Sequence, residues 1–236
     1  MTLSEEWVFL SELMYGQEFI DELAVLLKSF RVKTILECGC GGGHILEGLA
    51  RAGFEGIGLD KDPGMIEMAN KRHSYPEITF QVLDWLDIDQ LDFEPDAVIC
   101  RGNSLPYVQS WDQVKNDAQK LITKTLDKML QVLKPGGLLY LDTVSAEEIR
   151  RGGGRYSIHM PGVELTGQVR FEESLRFTEG NGNIHGQDFS VNLGAKFYTA
   201  DNLIQQLKAI SSTIDVFTPK LINEVNYDIV CAIKSE

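Results

Sequence analysis

Apolar positions recur every three or four residues through the first thirty, at Trp7, Phe9, Leu10, Leu13 and Met14 and again at Phe19, Ile20, Leu23, Leu26, Leu27 and Phe30, with Gly16 between the runs. The spacing predicts two helices parted at that glycine. Short apolar runs then alternate with helical ones. Strands are expected over 32–37, 54–60, 78–83, 95–100 and 138–143, with helices over 44–52, 63–72 and 111–133. The punctuation agrees: Gly53 stops one helix, Pro63 opens the next with Asp62 as N-cap, and Pro135-Gly136-Gly137 turns the chain into the fifth strand. Run 95–100 ends in Ala97 to Cys100 without a polar residue, as a parallel strand buried on both faces requires. This alternation implies right-handed βαβ units in a doubly wound α/β sheet, with any ligand at the carboxyl ends of the strands.

The rhythm changes at Val144. From there to Phe197 the helical period is lost, glycine is frequent, and Val163-Glu164-Leu165 and Val169-Arg170-Phe171 alternate as strands do. Asn181-Gly182-Asn183 is a turn suited to a hairpin. An antiparallel insertion is therefore expected over 144–197. A helix over 199–210, cappable by Thr199 or Asp201, and strands over 213–218 and 225–233 close the chain. The expected architecture is one domain: a helical cap over 1–31, a core over 32–143, a β insertion or lid over 144–197 and closing elements over 198–236, on a seven-stranded Rossmann-like sheet.

At 236 residues, 43% apolar and 24% charged, the composition suits one globular domain. The net charge of −13 disfavours a nucleic-acid partner, because the only dense basic cluster is Arg150, Arg151 and Arg155. No apolar run is long enough to span a bilayer, and Glu5 and Glu6 at the start do not read as a signal peptide, so no membrane partner and a cytoplasmic location are expected. Cys38, Cys40, Cys100 and Cys231 fall at expected strand ends as buried thiols, and neither they nor His44, His73, His159 and His185 have metal-ligand spacing. No metal is expected.

The chemistry concentrates where the first strand meets its loop, at Glu37-Cys38-Gly39-Cys40-Gly41-Gly42-Gly43. Glycines at 39, 41 and 43 permit positive φ and close approach of the backbone to a ligand, and the following helix presents unpaired N–H groups there. A dinucleotide fingerprint would need its last glycine where His44 stands. Asp60 closes the second strand 21 residues after Gly39, where a nucleotide fold places a carboxylate against ribose hydroxyls; an N-cap or a solvated acid is the plainer alternative. Asp84 and Trp85 end the third strand, a carboxylate for an adenine amino group beside an aromatic face.

The order acid-x-Gly-x-Gly-x-Gly, Asp60, Asp84 and Lys134-Pro135-Gly136-Gly137 resembles the class I S-adenosylmethionine-dependent methyltransferases over residues 30–143. The resemblance implies S-adenosyl-L-methionine as cofactor, with S-adenosyl-L-homocysteine as product, and contacts from Glu37, Cys38, Gly39, Gly41, Gly43, Asp60, Lys61, Asp84 and Trp85. A narrower stretch, Val98-Ile99-Cys100-Arg101-Gly102-Asn103-Ser104, is similar to the glycine and sarcosine N-methyltransferases. It implies cofactor contacts at Cys100, Arg101 and Gly102, with Asn103 near the methionine end. Val144 stands where that family carries its carboxylate-binding arginine, two residues beyond Asp142, so Arg150, Arg151 or Arg155 is left to supply a guanidinium.

Methyl transfer is an in-line displacement that requires an oriented acceptor and excluded water more than a nucleophilic side chain. Tyr15, Asn103 and Tyr107 are the candidates near the reacting centre, the tyrosines to hold an amine proton. The expectation is methylation of a small-molecule acceptor, preferably an amine. A protein or RNA methyltransferase, a nicotinamide-dependent oxidoreductase, an S-adenosylmethionine sensor and an aminopropyl transferase are the alternatives, and homo-oligomerisation is left open.

Overall fold

The computed structural model describes residues 8, 11–12, 15–108, 118–173, 175–222 and 227–235. Residues 8, 11 and 12 are helical, but Trp7, Phe9, Leu10, Leu13 and Met14 lie outside the described set, as does 111–117 of the long expected helix. The elements are α1 (Gln17–Ser29), β1 (Thr34–Cys38), α2 (His44–Arg51), β2 (Glu55–Asp60), α3 (Pro63–Arg72), β3 (Ile78–Val82), β4 (Ala97–Cys100), α4 (Ala118–Val132) and β5 (Leu138–Val144). After them come α5 (Ala146–Arg151), β6 (Gly153–Met160), β7 (Val163–Glu172), β8 (Leu175–Ile184), β9 (Gln187–Lys196), α6 (Ala200–Ile210), β10 (Asp215–Phe217) and β11 (Tyr227–Ile233).

Seven strands form one sheet in the order β10-β11-β5-β4-β1-β2-β3. The five from β5 to β3 run parallel, and β11 joins β5 antiparallel. The order reverses between β1 and β4, the switch point at which an open α/β sheet leaves a crevice. Alternate residues of the central strands feed two cores. Ile35, Ile99 and Tyr140 pack with Leu23, Leu27 and Leu49 on one face, whereas Leu36, Val98 and Leu139 pack with Leu126, Leu203 and Leu207 on the other. This double burial explains the apolar reading of β4.

Lys134 serves the scaffold. Its Nζ donates to Asp96 Oδ1 at 2.7 Å, while Asp96 Oδ2 accepts the N–H groups of Lys33 and Thr34 at 2.9 Å each, so the Lys-Pro-Gly-Gly turn is tied to the start of β1. Burial raises the Asp96 pKa, but Lys134 and these backbone donors outweigh it and hold the carboxyl at about 2.

The second sheet, β6-β7-β8-β9, is wholly antiparallel. Three corrections fall here. β5 runs on to Val144, and the segment after it opens with a short helix rather than a strand: Ser145 Oγ accepts the Glu148 N–H at 3.1 Å, and Gly152, with φ 72°, ends α5. Six residues are too few to register as a 3.6 period. Asn181-Gly182-Asn183 is not a turn; it lies within β8, paired with Thr166, Leu165 and Glu164. The reversal occurs at His185-Gly186, whose φ values of 50° and 84° suit a two-residue hairpin, and Asn183 Oδ1 accepts the Gly186 N–H at 2.7 Å. A Cβ at Gly182 would lie 1.9 Å from the Glu164 carbonyl oxygen, so this glycine serves strand proximity.

All four cysteines are buried and unbridged, with Cys231 in mid-strand opposite Tyr140 rather than at a strand end. Among the described residues no helix is long and apolar enough to cross a membrane, and no cluster of three or more His, Cys, Asp or Glu could hold a metal ion.

Candidate active site

A cavity of about 500 Å³ opens at the carboxyl ends of β1, β2 and β4, and the inner face of the second sheet forms its opposite wall. Its floor is the loop after β1. Gly39, Gly41 and Gly43 have φ values of 76°, 53° and 80°, the left-handed region that favours glycine. The N–H groups of Gly39 and Cys40 donate to the Leu59 carbonyl at 2.8 and 2.9 Å, binding the loop to β2. A Cβ at Gly39 would sit 2.9 Å from the Trp85 ring, whereas one at Gly41 would meet nothing within 4 Å. From the end of α3, the half-buried His73 reaches the Gly42 carbonyl with Nε2 at 2.7 Å.

Two acids flank this loop. Asp60 Oδ2 accepts the Gly41 N–H and Oδ1 the Asp62 N–H, each at 3.0 Å. Burial raises the Asp60 pKa against those bonds. Glu37 is 2% exposed. Burial pushes its carboxyl up to about 7, against the pull of Arg101 and of a hydrogen bond from the Leu46 N–H, and its Oε2 has no hydrogen-bond partner. His44, at the start of α2, is pushed down to about 3, by burial first and then by Arg101, His73 and Arg72, so it is a neutral wall residue with Nε2 unpartnered.

The third side is the loop after β4. Asp142, buried on β5, accepts the Gly102 N–H at 2.7 Å and the Asn103 N–H at 2.6 Å, which fixes two residues with φ of 69° and 52°. Arg101 lies buried beneath, its guanidinium 3.7 Å from the Tyr15 ring centroid and 4.8 Å from that of Phe19.

Of the residues expected at the site, Glu37, Gly39, Gly41, Asp60, Lys61 and Trp85 line the cavity. So do Arg101, Gly102, Asn103, Tyr15 and Tyr107. Cys38, Gly43, Asp84 and Cys100 are not among the lining residues. Cys38 and Cys100 pair with each other across β1 and β4 and turn into the core, Gly43 packs against Phe80, and Asp84 accepts the Leu86 N–H at 2.9 Å, capping the 3-10 turn Trp85–Gln90. Lys61 Nζ donates to the Tyr107 carbonyl at 3.0 Å, joining the ends of β2 and β4.

The sheet wall carries groups the sequence reading did not single out. Ile158, Leu165, Val169, Phe189 and Val191 make it apolar, and Arg176 and Glu148 place an ion pair of 3.3 Å at one end. Arg176, not Arg150, Arg151 or Arg155, is the guanidinium at the cavity: Arg151 pairs with Glu147 on α5, Arg150 bonds to the Ala146 carbonyl and Arg155 is exposed. Tyr156 lies across the cross-strand glycines Gly167 and Gly180, where a Cβ would come within 2.4 and 2.3 Å of its hydroxyl. Period-two alternation gives Arg176, Thr178 and Ile184 one face; only the packing says which face looks inward.

A doubly wound sheet of this strand order, with a glycine loop and an acid at neighbouring strand tips, is a Rossmann-like fold shared with solved S-adenosylmethionine-dependent methyltransferases. Residues 35–137 match the family model described as methyltransferase domain. A curated relative, the ubiquinone biosynthesis O-methyltransferase of Chelativorans sp., is 29% identical over 118 residues, 50% of this chain and 43% of its own. The chain spans about half the length of the curated relatives it matches. The S-adenosylmethionine-dependent methyltransferase from Clostridium acetobutylicum superposes with a TM-score of 0.77 at 13% identity, over 100% of both chains. An amino pentose methyltransferase from Micromonospora echinaspora, solved with S-adenosylmethionine bound, gives 0.74 at 20% identity over 92% of this chain and 90% of its own. These likenesses establish the fold.

Proposed function

We propose that the chain catalyses S-adenosylmethionine-dependent methylation of a small-molecule acceptor, preferably an amine, held between the glycine loop and the second sheet. The observation that carries this reading is the fit of the cavity to an adenosyl amino acid. It has a backbone cradle open at Gly41, an acid at Asp60 with oxygen capacity left after its two backbone bonds, and a buried Glu37 with one oxygen unsatisfied. In this reading Asp60 holds the ribose hydroxyls, Trp85 flanks the adenine, and Glu37 faces the methionine ammonium. The bound cofactor supplies a methyl group on a sulfonium, already activated for displacement.

The chain's own residues then orient the acceptor and exclude water. Segment 145–197 acts as a lid, its apolar face covering the acceptor, with Glu148 and Arg176 as the polar end. Tyr107 and Tyr156 flank that end, and burial raises both phenol pKa values, so each donates and accepts as a neutral hydroxyl. An amine acceptor suits Glu148, and the amino pentose specificity named for one structural neighbour supports it. O-methylation is the second reading, favoured by the curated relatives' names, and the apolar wall suits a phenol as its acceptor. A screen measuring S-adenosylhomocysteine release over a panel of small amines and phenols tests the proposal. Turnover with either class supports it and tells the two apart; methylation of protein or RNA with neither small class would overturn it.

A further inference from the structure

The sheet wall of the cavity turns from apolar to charged at one end, where Arg176 of β8 stands beside Glu148 of α5. β8 lies outside residues 35–137, so the matched methyltransferase domain does not account for this charge. A guanidinium carries five N–H donors and cannot shed its proton. Nη1 of Arg176 donates to Thr178 Oγ1 at 3.0 Å and Nη2 to Glu148 Oε1 at 3.3 Å, whereas Nε is buried without a hydrogen-bond partner. Charge-assisted N–H···O bonds run to about 2.7–2.9 Å, so Glu148 meets the guanidinium loosely and leaves its Nε–Nη2 fork open. An ion pair that served only to tie α5 to β8 would gain most by closing that fork. Among the described lining residues, the cations Lys61 and Arg101 belong to the strand tips across the cavity: Lys61 Nζ donates to the Tyr107 carbonyl at 3.0 Å, and Arg101 lies against the Tyr15 and Phe19 rings. Burial raises the phenol pKa values of Tyr107 and Tyr156, and Arg176 pulls both back, so its charge is felt from the loop after β4 and from β6 alike.

We infer that Arg176 binds a carboxylate carried by the acceptor, which makes the substrate an amine or phenol with an apolar frame and one anionic end, an assignment that rests on the proposed methyl transfer. The frame lies along Ile158, Leu165 and Phe189, and the planar carboxylate takes the Nε–Nη2 edge. With a net charge of −13 the protein repels anions at a distance, so an anionic acceptor needs this local cation. The apolar wall favours a monoanion over a phosphate or phosphonate. Attraction to Arg176 grows in proportion to the ligand charge, but the cost of desolvating an ion grows with its square, and Glu148 repels each added charge.

Ligand-observed NMR titration of the S-adenosylhomocysteine-loaded protein with phenylacetate, phenylacetamide and benzylphosphonate is the test, because the three share one aromatic frame and differ only at the end Arg176 would hold. The wild type should bind phenylacetate about 10- to 100-fold more tightly than phenylacetamide, the range for one charge-assisted contact, and more tightly than benzylphosphonate in mildly alkaline buffer. Arg176→Leu should lose the preference for acid over amide, and Arg176→Lys should keep part of it. No measurable binding of phenylacetate, equal affinity for acid and amide, or a preference that survives in Arg176→Leu would overturn the assignment, and tighter binding of benzylphosphonate would overturn the choice of a carboxylate. Should Arg176→Leu fail to fold, the wild-type comparison and Arg176→Lys still decide. Calorimetry with S-adenosylhomocysteine separates the two levels. If it binds and no preference for the acid exists, only the role of Arg176 falls; if it does not bind the folded wild type, the methyltransferase reading falls with it.

Discussion

Replacing Asp60 probes the proposed site at the point where loop and ligand are joined. The carboxylate is committed at 3.0 Å to the Gly41 N–H and at 3.0 Å to the Asp62 N–H, one bond per oxygen, leaving each oxygen one further acceptor position for ribose. Asp60→Ala removes those acceptors and frees the loop at Gly41, a residue held at φ 53°. Hydrogen bonds to a charged group are worth about 1.5–3 kcal/mol, so the dissociation constant for S-adenosylhomocysteine should rise about 10- to 150-fold. Asp60→Asn is the sharper variant, because its amide must turn an NH2 toward one of two backbone N–H groups, setting donor against donor. It should therefore bind closer to Asp60→Ala than to wild type. Calorimetry reads the affinity, and thermal melts confirm that the variants fold. A dissociation constant within twofold of wild type for Asp60→Ala would refute the ribose role, and an Asp60→Asn protein indistinguishable from wild type would refute the geometric argument about the loop.

Other substitutions separate scaffold from site. Gly39→Ala forces a Cβ to 2.9 Å from Trp85 at φ 76°, and a loss of about 1–3 kcal/mol in urea denaturation is expected together with weaker cofactor binding. Gly180→Ala drives the Tyr156 hydroxyl from a position 2.3 Å from the new methyl group, so kcat/KM for any acceptor found should fall while cofactor affinity stays constant; equal losses in both would place Tyr156 outside the acceptor site. Glu37 makes a pH prediction. Its folded pKa is raised to about 7 from 4.5, so the cofactor-free folded state holds more protons than the unfolded chain between those values. Stability present below pH 4.5 is therefore lost as pH rises through about 7, by about 3 kcal/mol. Glu37→Gln should lack that decline when the two proteins are unfolded in urea at pH 5 and pH 8.

The hydrophobic periods by themselves determined the parallel core, because each central strand must feed two cores and each helix one face, and the glycines at 39, 41 and 43 marked the loop because only that residue accepts its positive φ cheaply. Asp60 was legible for the same reason: its distance from the loop is one βαβ crossover, a length set by local geometry. Short or two-sided features were not. The six-residue α5 offered no period, and Asn181-Gly182 has turn chemistry yet sits in β8, where cross-strand contact and the adjacent two-residue turn at His185-Gly186 override local preference. Tertiary structure alone decided that Asp142 fixes the loop at Gly102 and Asn103, that Arg176 rather than the basic cluster near 150 faces the cavity, and that Arg101 is buried with two donors unsatisfied. Each depends on residues 28 to more than 80 positions apart being brought within hydrogen-bonding or van der Waals reach. Strand pairing and packing set such encounters, and no local period encodes them.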